Sequence, residues 1–289
     1  MNQRPGNQLF DAYFTAPAMR AVFSDRGRVQ GMLDFEAALA RAEAAVGLIP
    51  QVAVAPIEAA CQAERYDFAA LAVAIAVAGN SAIPLVKALG KVIASGVPEA
   101  ERFVHLGATS QDAMDTGLVL QLRDALGLIE ADLARLADSL AHQALQHADT
   151  PLAGRTWLQQ ATPVTLGMKL AGVLGAITRH RQRLNELKPR LLSLQFGGAS
   201  GSLAALGEQA WPVAEALAAE LQLNLPEQPW HTQRDRLVEF ASLLGLIAGS
   251  LGLWHAEWET LPEICCLVSG SLKQALLLAA GLEVDAERM

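Results

Sequence analysis

Leu118, Leu122, Leu126, Ile129, Leu133, Leu136 and Leu140 recur every three or four positions along one stretch of the chain. That is the period at which residues line one face of an α-helix. Arg123, Asp124, Asp132 and Arg135 fall off the stripe. The pattern predicts a single helix from about Ala113 to His147, roughly 50 Å long at about 1.5 Å per residue. Few globular folds use so long a helix, and a bundle is its natural setting.

The remaining patterns are helical too. Val29, Met32, Leu33, Phe35, Leu39 and Ala42 predict a helix over 28–45, closed by Gly47 in GLIP. Further helices are predicted over 54–64, 68–78, after Pro84, and over 164–187, 210–221, 234–250 and 256–280. No segment keeps the alternation of a strand. Ala and Leu dominate and aromatics are 5%, which suits close helix packing better than a β-rich core. The expected fold is all-α. A small helical domain (1–104) precedes a long-helix bundle (105–289), divided near His105, where the helices change from short to long.

Composition excludes several classes. The chain is 52% hydrophobic and 18% charged, unlike a disordered one. A net charge of −8 lacks the basic footprint of a nucleic-acid binder. An acidic protein can still hold an anion at helix N-termini. Cys61, Cys265 and Cys266 are odd in number, two are adjacent, and their spacing suits neither a disulfide framework nor a zinc site. The N-terminal MNQRPGNQLF has no apolar signal core. The most apolar stretch, 68–86, is interrupted by Gly79, Asn80 and Pro84, so it reads as core rather than a membrane span. The cytoplasm is the expected location.

Four motifs carry possible chemistry. In VHLGATSQDAMDTG (104–117), Thr109 and Ser110 immediately precede the long helix. They suit an ordinary N-cap, and equally an anion site of free N–H groups, hydroxyls and a positive dipole end. His105 is a candidate donor beside it or a satisfied structural histidine. GRTWLQQATPVTLG (154–167) reads as a polar turn with one flat wall, Trp157, followed by a helix entry at Pro163 and Thr165. FGGASGSL (196–203) is a tight backbone path or a plain loop, without phosphate-loop spacing. In WHTQRDRLVEF (230–240), Arg234 and Arg236 pair with Asp235 and Glu239 on a helix surface or face an anionic ligand.

HLGATSQDAMDTG resembles the first signature of the fumarase/aspartase superfamily, H-x-G-x-T-S-x-D-x-x-D-T. GRTWLQQATPVTLG is similar to the second, G-R-T-H-x-Q-x-A-x-P-x-T-x-G. The segment from Met19 to Pro50 also resembles the start of these enzymes, and the order and spacing fit over nearly the whole chain. The resemblance implies anti elimination or addition across a C–C bond beside a carboxylate. It implies sites assembled from three subunits of a homotetramer, with no metal or organic cofactor.

Two departures refine the expectation. Trp157 stands where most members carry a His associated with proton transfer to the leaving group. A leaving amine needs that proton, whereas a carboxylate, with a pKa near about 4, leaves as its anion. G-R-T-W-L-Q and GNSAIPLVKAL (79–89) resemble the lactonising branch. The activity so implied is isomerisation of the tricarboxylate 3-carboxy-cis,cis-muconate to 4-carboxymuconolactone, in protocatechuate catabolism. On this reading Thr109 and Ser110 bind a substrate carboxylate with His105 and Arg234 near it. Thr156 and Gln159 donate hydrogen bonds, and Trp157 forms a wall. Lyases acting on adenylosuccinate, argininosuccinate or fumarate, or a scaffold without activity, are the alternatives. The second departure is the superfamily's catalytic-serine loop, S-S-x-M-P-x-K-x-N-P, which nothing here matches. It is expected between Ser250 and Leu251, before LGLWHAEWETLPE. A C-terminal helical domain is expected beyond Met289.

Overall fold

The computed structural model describes residues 16–251, apart from Leu158. The helix expected over 256–280, Cys265, Cys266 and the segment MNQRPGNQLF lie outside the described residues. The chain forms two compact units, residues 1–243 and 244–289. Of the second, only 244–251 is described, as the end of the last helix. The change of helix length at His105 falls within the first unit.

The described residues form nine α-helices. They are α1 (Pro17–Val22), α2 (Asp25–Ala45), α3 (Val54–Ala60), α4 (Phe68–Ala78), α5 (Ala82–Ala94), α6 (Ser110–Gln146), α7 (Leu166–Leu191), α8 (Ala210–Leu221) and α9 (Asp235–Ser250). Local chemistry sets their ends. The Ser24 hydroxyl accepts from Gly27 N at 3.0 Å and starts α2, and Gly47 takes φ +78° after it. The leucine stripe belongs to α6, 37 residues long and so about 55 Å. Leu122, Leu126 and Leu133 are buried, whereas Leu118, Ile129, Leu136 and Leu140 are half-covered.

Helix α7 returns antiparallel along α6, since Gly167 N donates to His147 O at one end and Thr116 meets Gln195 at the other. Helix α2 crosses α6 at a glycine pair. A Cβ on Gly31 would lie 2.7 Å from Gly117 O, and one on Gly117 would lie 2.9 Å from Gly31 C. No larger side chain fits there without moving a backbone. Leu33, Phe35 and Leu39 of α2, Leu85 and Leu89 of α5, and Val213 and Leu217 of α8 share one core with Trp230.

The expectation of no strand is corrected. Between α6 and α7 the chain forms an antiparallel hairpin, β1 (Pro151–Thr156) with β2 (Gln159–Thr165), with a bulge at Gly154. Most of its strand residues are exposed, the rest are half-covered, and none is buried. With neither face buried, the alternation that betrays a strand has no cause to exist. Pro163 lies in β2, where a two-stranded ribbon tolerates it, so the helix entry predicted at Pro163 belongs to Thr165 instead. The Thr165 hydroxyl accepts from Met168 N at 3.1 Å. The helix predicted over 54–64 stops at Ala60.

One buried residue opposes the fold. Glu43 is fully buried and neither carboxyl oxygen has a hydrogen-bond partner. Burial, aided by the charge of Glu36, pushes its pKa from 4.5 up to about 8. A carboxyl raised in this way keeps a proton that the unfolded chain has lost, so stability falls as pH rises from 4.5 towards 8. Glu43→Gln should therefore raise the melting temperature most at pH 8, with the gap narrowing towards pH 5. A gap independent of pH, measured by calorimetry, would contradict this.

Candidate anion site at the start of the long helix

The first signature divides into residues buried in the fold and residues left half-covered at its surface. Asp112 is completely buried. Its Oδ1 accepts from Gly197 N, Gln195 Nε2 and His231 Nε2, each at 3.0 Å. Its Oδ2 accepts from Gly198 N at 2.9 Å and Thr109 N at 3.0 Å. The carboxylate thus ties the FGGASGSL loop to the N-terminus of α6, and the glycines serve this contact. Gly198 stands at φ +65°, and a Cβ on it would come within 2.9 Å of Gly107 O. The buried Thr116 hydroxyl donates to Gln195 O at 2.8 Å and accepts from Gln195 N at 3.0 Å. The Gln195 Oε1 accepts from Trp230 N at 2.6 Å.

Thr109, Ser110 and His105 sit on the half-covered side. Ser110 opens α6, and its Oγ accepts from Asn80 Nδ2 at 3.1 Å. His105 holds a left-handed backbone at φ +59°, which costs a non-glycine residue about 1–2 kcal/mol. Its Nδ1 lies 2.6 Å from Oε1 of Glu36, a nearly buried residue of α2. Burial works against a charge on His105. The Glu36 hydrogen bond and the charges of Glu36 and Asp112 outweigh it and raise the His105 pKa above 6.5. A helix N-terminus, two hydroxyl residues and a histidine biased towards its cation form a candidate site whose chemistry suits an anion.

Arg234 is otherwise engaged. Its Nη1 and Nη2 lie 2.5 and 2.8 Å from the two oxygens of Asp115, and its guanidinium carbon stands 5.0 Å from the Trp230 ring centre. Asp115 is the last acid of the first signature, so this fork fixes the 230–240 segment to α6. Neither predicted helix-surface pair forms. Glu239 pairs with Arg190, and Arg236 lies over the Trp230 ring at 5.3 Å.

The second signature lies elsewhere. Thr156, Trp157 and Gln159 crown the hairpin, and Trp157 is 93% exposed at φ +49°. The hairpin leaves the C-terminal end of α6, while Thr109 and Ser110 stand at the other end. Helix α6 spans about 55 Å and a six-residue strand reaches back at most about 20 Å. Roughly 30 Å or more therefore separates the two signatures within one chain.

Glu36, Asn80 and His231 were missed from sequence. Glu36 carried a signal, as a charge on the apolar face defined by Met32, Leu33 and Leu39. Leu251 N donates to Ile247 O at 3.1 Å and to Ala248 O at 3.2 Å, so the backbone is helical up to Leu251.

Long helices around a signature-bearing N-terminus define a helical lyase of the fumarase/aspartase type. The chain belongs to the lyase family, whose model matches residues 12–260. Within it the chain is 65% identical to 3-carboxy-cis,cis-muconate cycloisomerase of Pseudomonas putida, over 98% of this chain and 84% of the relative. That alignment runs over 353 positions against 289 residues, so the relative carries residues with no counterpart here. The cycloisomerase of Acinetobacter baylyi is 37% identical over 98% of this chain and 79% of its own. The crystal structure of the 3-carboxy-cis,cis-muconate lactonizing enzyme from P. putida superposes with a TM-score of 0.84 at 69% identity, covering 98% of this chain and 78% of that one.

Proposed function

We propose that this protein is a cycloisomerase that converts 3-carboxy-cis,cis-muconate to 4-carboxymuconolactone. One carboxylate oxygen of the substrate adds to an alkene carbon and a proton joins the neighbouring carbon, so atoms balance without a leaving group. The 65% identity to the P. putida cycloisomerase carries the choice of substrate. Thr109 and Ser110 hold a second carboxylate at the N-terminus of α6, and His105 adds a donor. Arg234 acts through its fork with Asp115, as an anchor for this end of the site. Thr156 and Gln159 supply hydrogen bonds and Trp157 a wall that excludes water. The superfamily's proton-transferring serine sits in an S-S-x-M-P-x-K-x-N-P loop that the 289 residues do not contain.

The protein works in the cytoplasm as a homotetramer with shared sites. The separation of the two signatures supports this, because one substrate can touch both only if a second copy brings its hairpin to this α6. The half-covered leucines of α6, and Met168 and Trp157 standing 68% and 93% exposed, are the surfaces such an assembly would cover. Mixing two crippled variants tests it. One loses Thr109 and Ser110, and the other loses Thr156 and Gln159. Subunit exchange should restore about one quarter of the wild-type sites. No recovery in a mixed tetramer would overturn the shared site.

A further inference from the structure

We infer that Asn80 is a positioning residue that fixes the direction of the Ser110 hydroxyl, making it a donor towards the substrate carboxylate. The inference rests on the anion-site reading of Ser110.

Asn80 lies between α4 and α5, in the GNSAIPLVKAL stretch. Its side-chain oxygen accepts from Ala82 N at 2.9 Å and Ile83 N at 3.0 Å. These are free N–H groups at the start of α5, and only an acceptor satisfies them. The orientation of the amide is therefore set by the helix, and its NH₂ must be the group that meets Ser110. At 3.1 Å, Asn80 Nδ2 donates to Ser110 Oγ. A hydroxyl has one proton and can accept at its lone pairs. With Asn80 as the donor in this bond, the Ser110 proton is left to point elsewhere. The Ser110 hydroxyl donates to none of the described residues. Ser110 sits half-covered at the first position of α6, where a carboxylate would also meet the free N–H groups of that helix. The chain of constraint runs from the α5 N–H groups, through the amide, to a serine that can donate but is not consumed.

Asn80→Asp keeps the helix cap and reverses the bond, because a carboxylate can only accept and so draws the Ser110 proton to itself. The melting temperature should stay within a degree or two of wild type, since Asp caps helices as well as Asn. KM for 3-carboxy-cis,cis-muconate should rise about tenfold or more, with kcat changing less. The added charge alone also repels the substrate, so the same change is made in a Ser110→Ala background. There the rise in KM should shrink to the part due to charge.

An equal rise in both backgrounds, with Ser110→Ala alone raising KM, would overturn the inference and spare the anion site. Ser110→Ala with an unchanged KM would overturn the anion site and the inference together. Asn80→Ala completes the test. It should lower stability equally with and without Ser110, yet raise KM only when Ser110 is present. A KM rise of the same size without Ser110 would show that Asn80 does no more than cap α5.

Discussion

Replacing Asp112 with alanine should leave little soluble protein, and replacing it with asparagine should lower the melting temperature by roughly 10 °C. Five donors converge on this one buried carboxylate. Alanine strands them all, and each buried unsatisfied donor costs about 1–3 kcal/mol. Asparagine keeps the shape but turns an NH₂ group towards donors, so at least one contact becomes repulsive. A loss of about 4 kcal/mol, at about 2–4 °C per kcal/mol for a chain of this size, gives the expected drop. Ser110→Ala, a neighbour in the same signature, should cost about 1 kcal/mol or less. The contrast separates Asp112, which builds the motif, from Ser110, which the proposed function places on the ligand. An Asp112→Asn variant as stable as wild type but inactive would place Asp112 on the substrate instead.

How far the chain could be read in advance follows from where each residue's partners lie. The long helix was legible because its stripe is a local pattern with a physical cause. Thr109 and Ser110 were legible as a helix start because capping chemistry operates over three or four residues. The role of Asp112 was not, since Gln195 and His231 lie 83 and 119 residues further on. The fork of Arg234 was equally hidden, because its partner Asp115 lies 119 residues away. The hairpin escaped because exposure on both faces erases the alternation by which strands are recognised. Glu36 was overlooked although a carboxylate on an apolar helix face is itself a signal. Its meaning depends on His105, 69 residues away.

On the proposed function, Trp157 carries the choice between cyclisation and amine elimination. An indole has one N–H that does not titrate in the working range, so it cannot deliver and recover a proton. A reaction in which a nitrogen leaves needs acid assistance at this position. A reaction in which a carboxylate adds or leaves does not, because the carboxylate is already a stable anion at neutral pH. The exposed hairpin tip would bring the indole to a neighbouring copy's substrate as a flat, dry face rather than as a proton carrier. Trp157→His should accordingly fail to improve cyclisation, since there is no proton for it to carry to a leaving group.

The direct test is the substrate preference of the purified complete protein. Followed in the ultraviolet, 3-carboxy-cis,cis-muconate should lose its diene absorbance as the lactone forms. Adenylosuccinate and argininosuccinate should remain unchanged under the same conditions. Efficient release of amine from either, with the carboxymuconate diene left intact, would contradict the account.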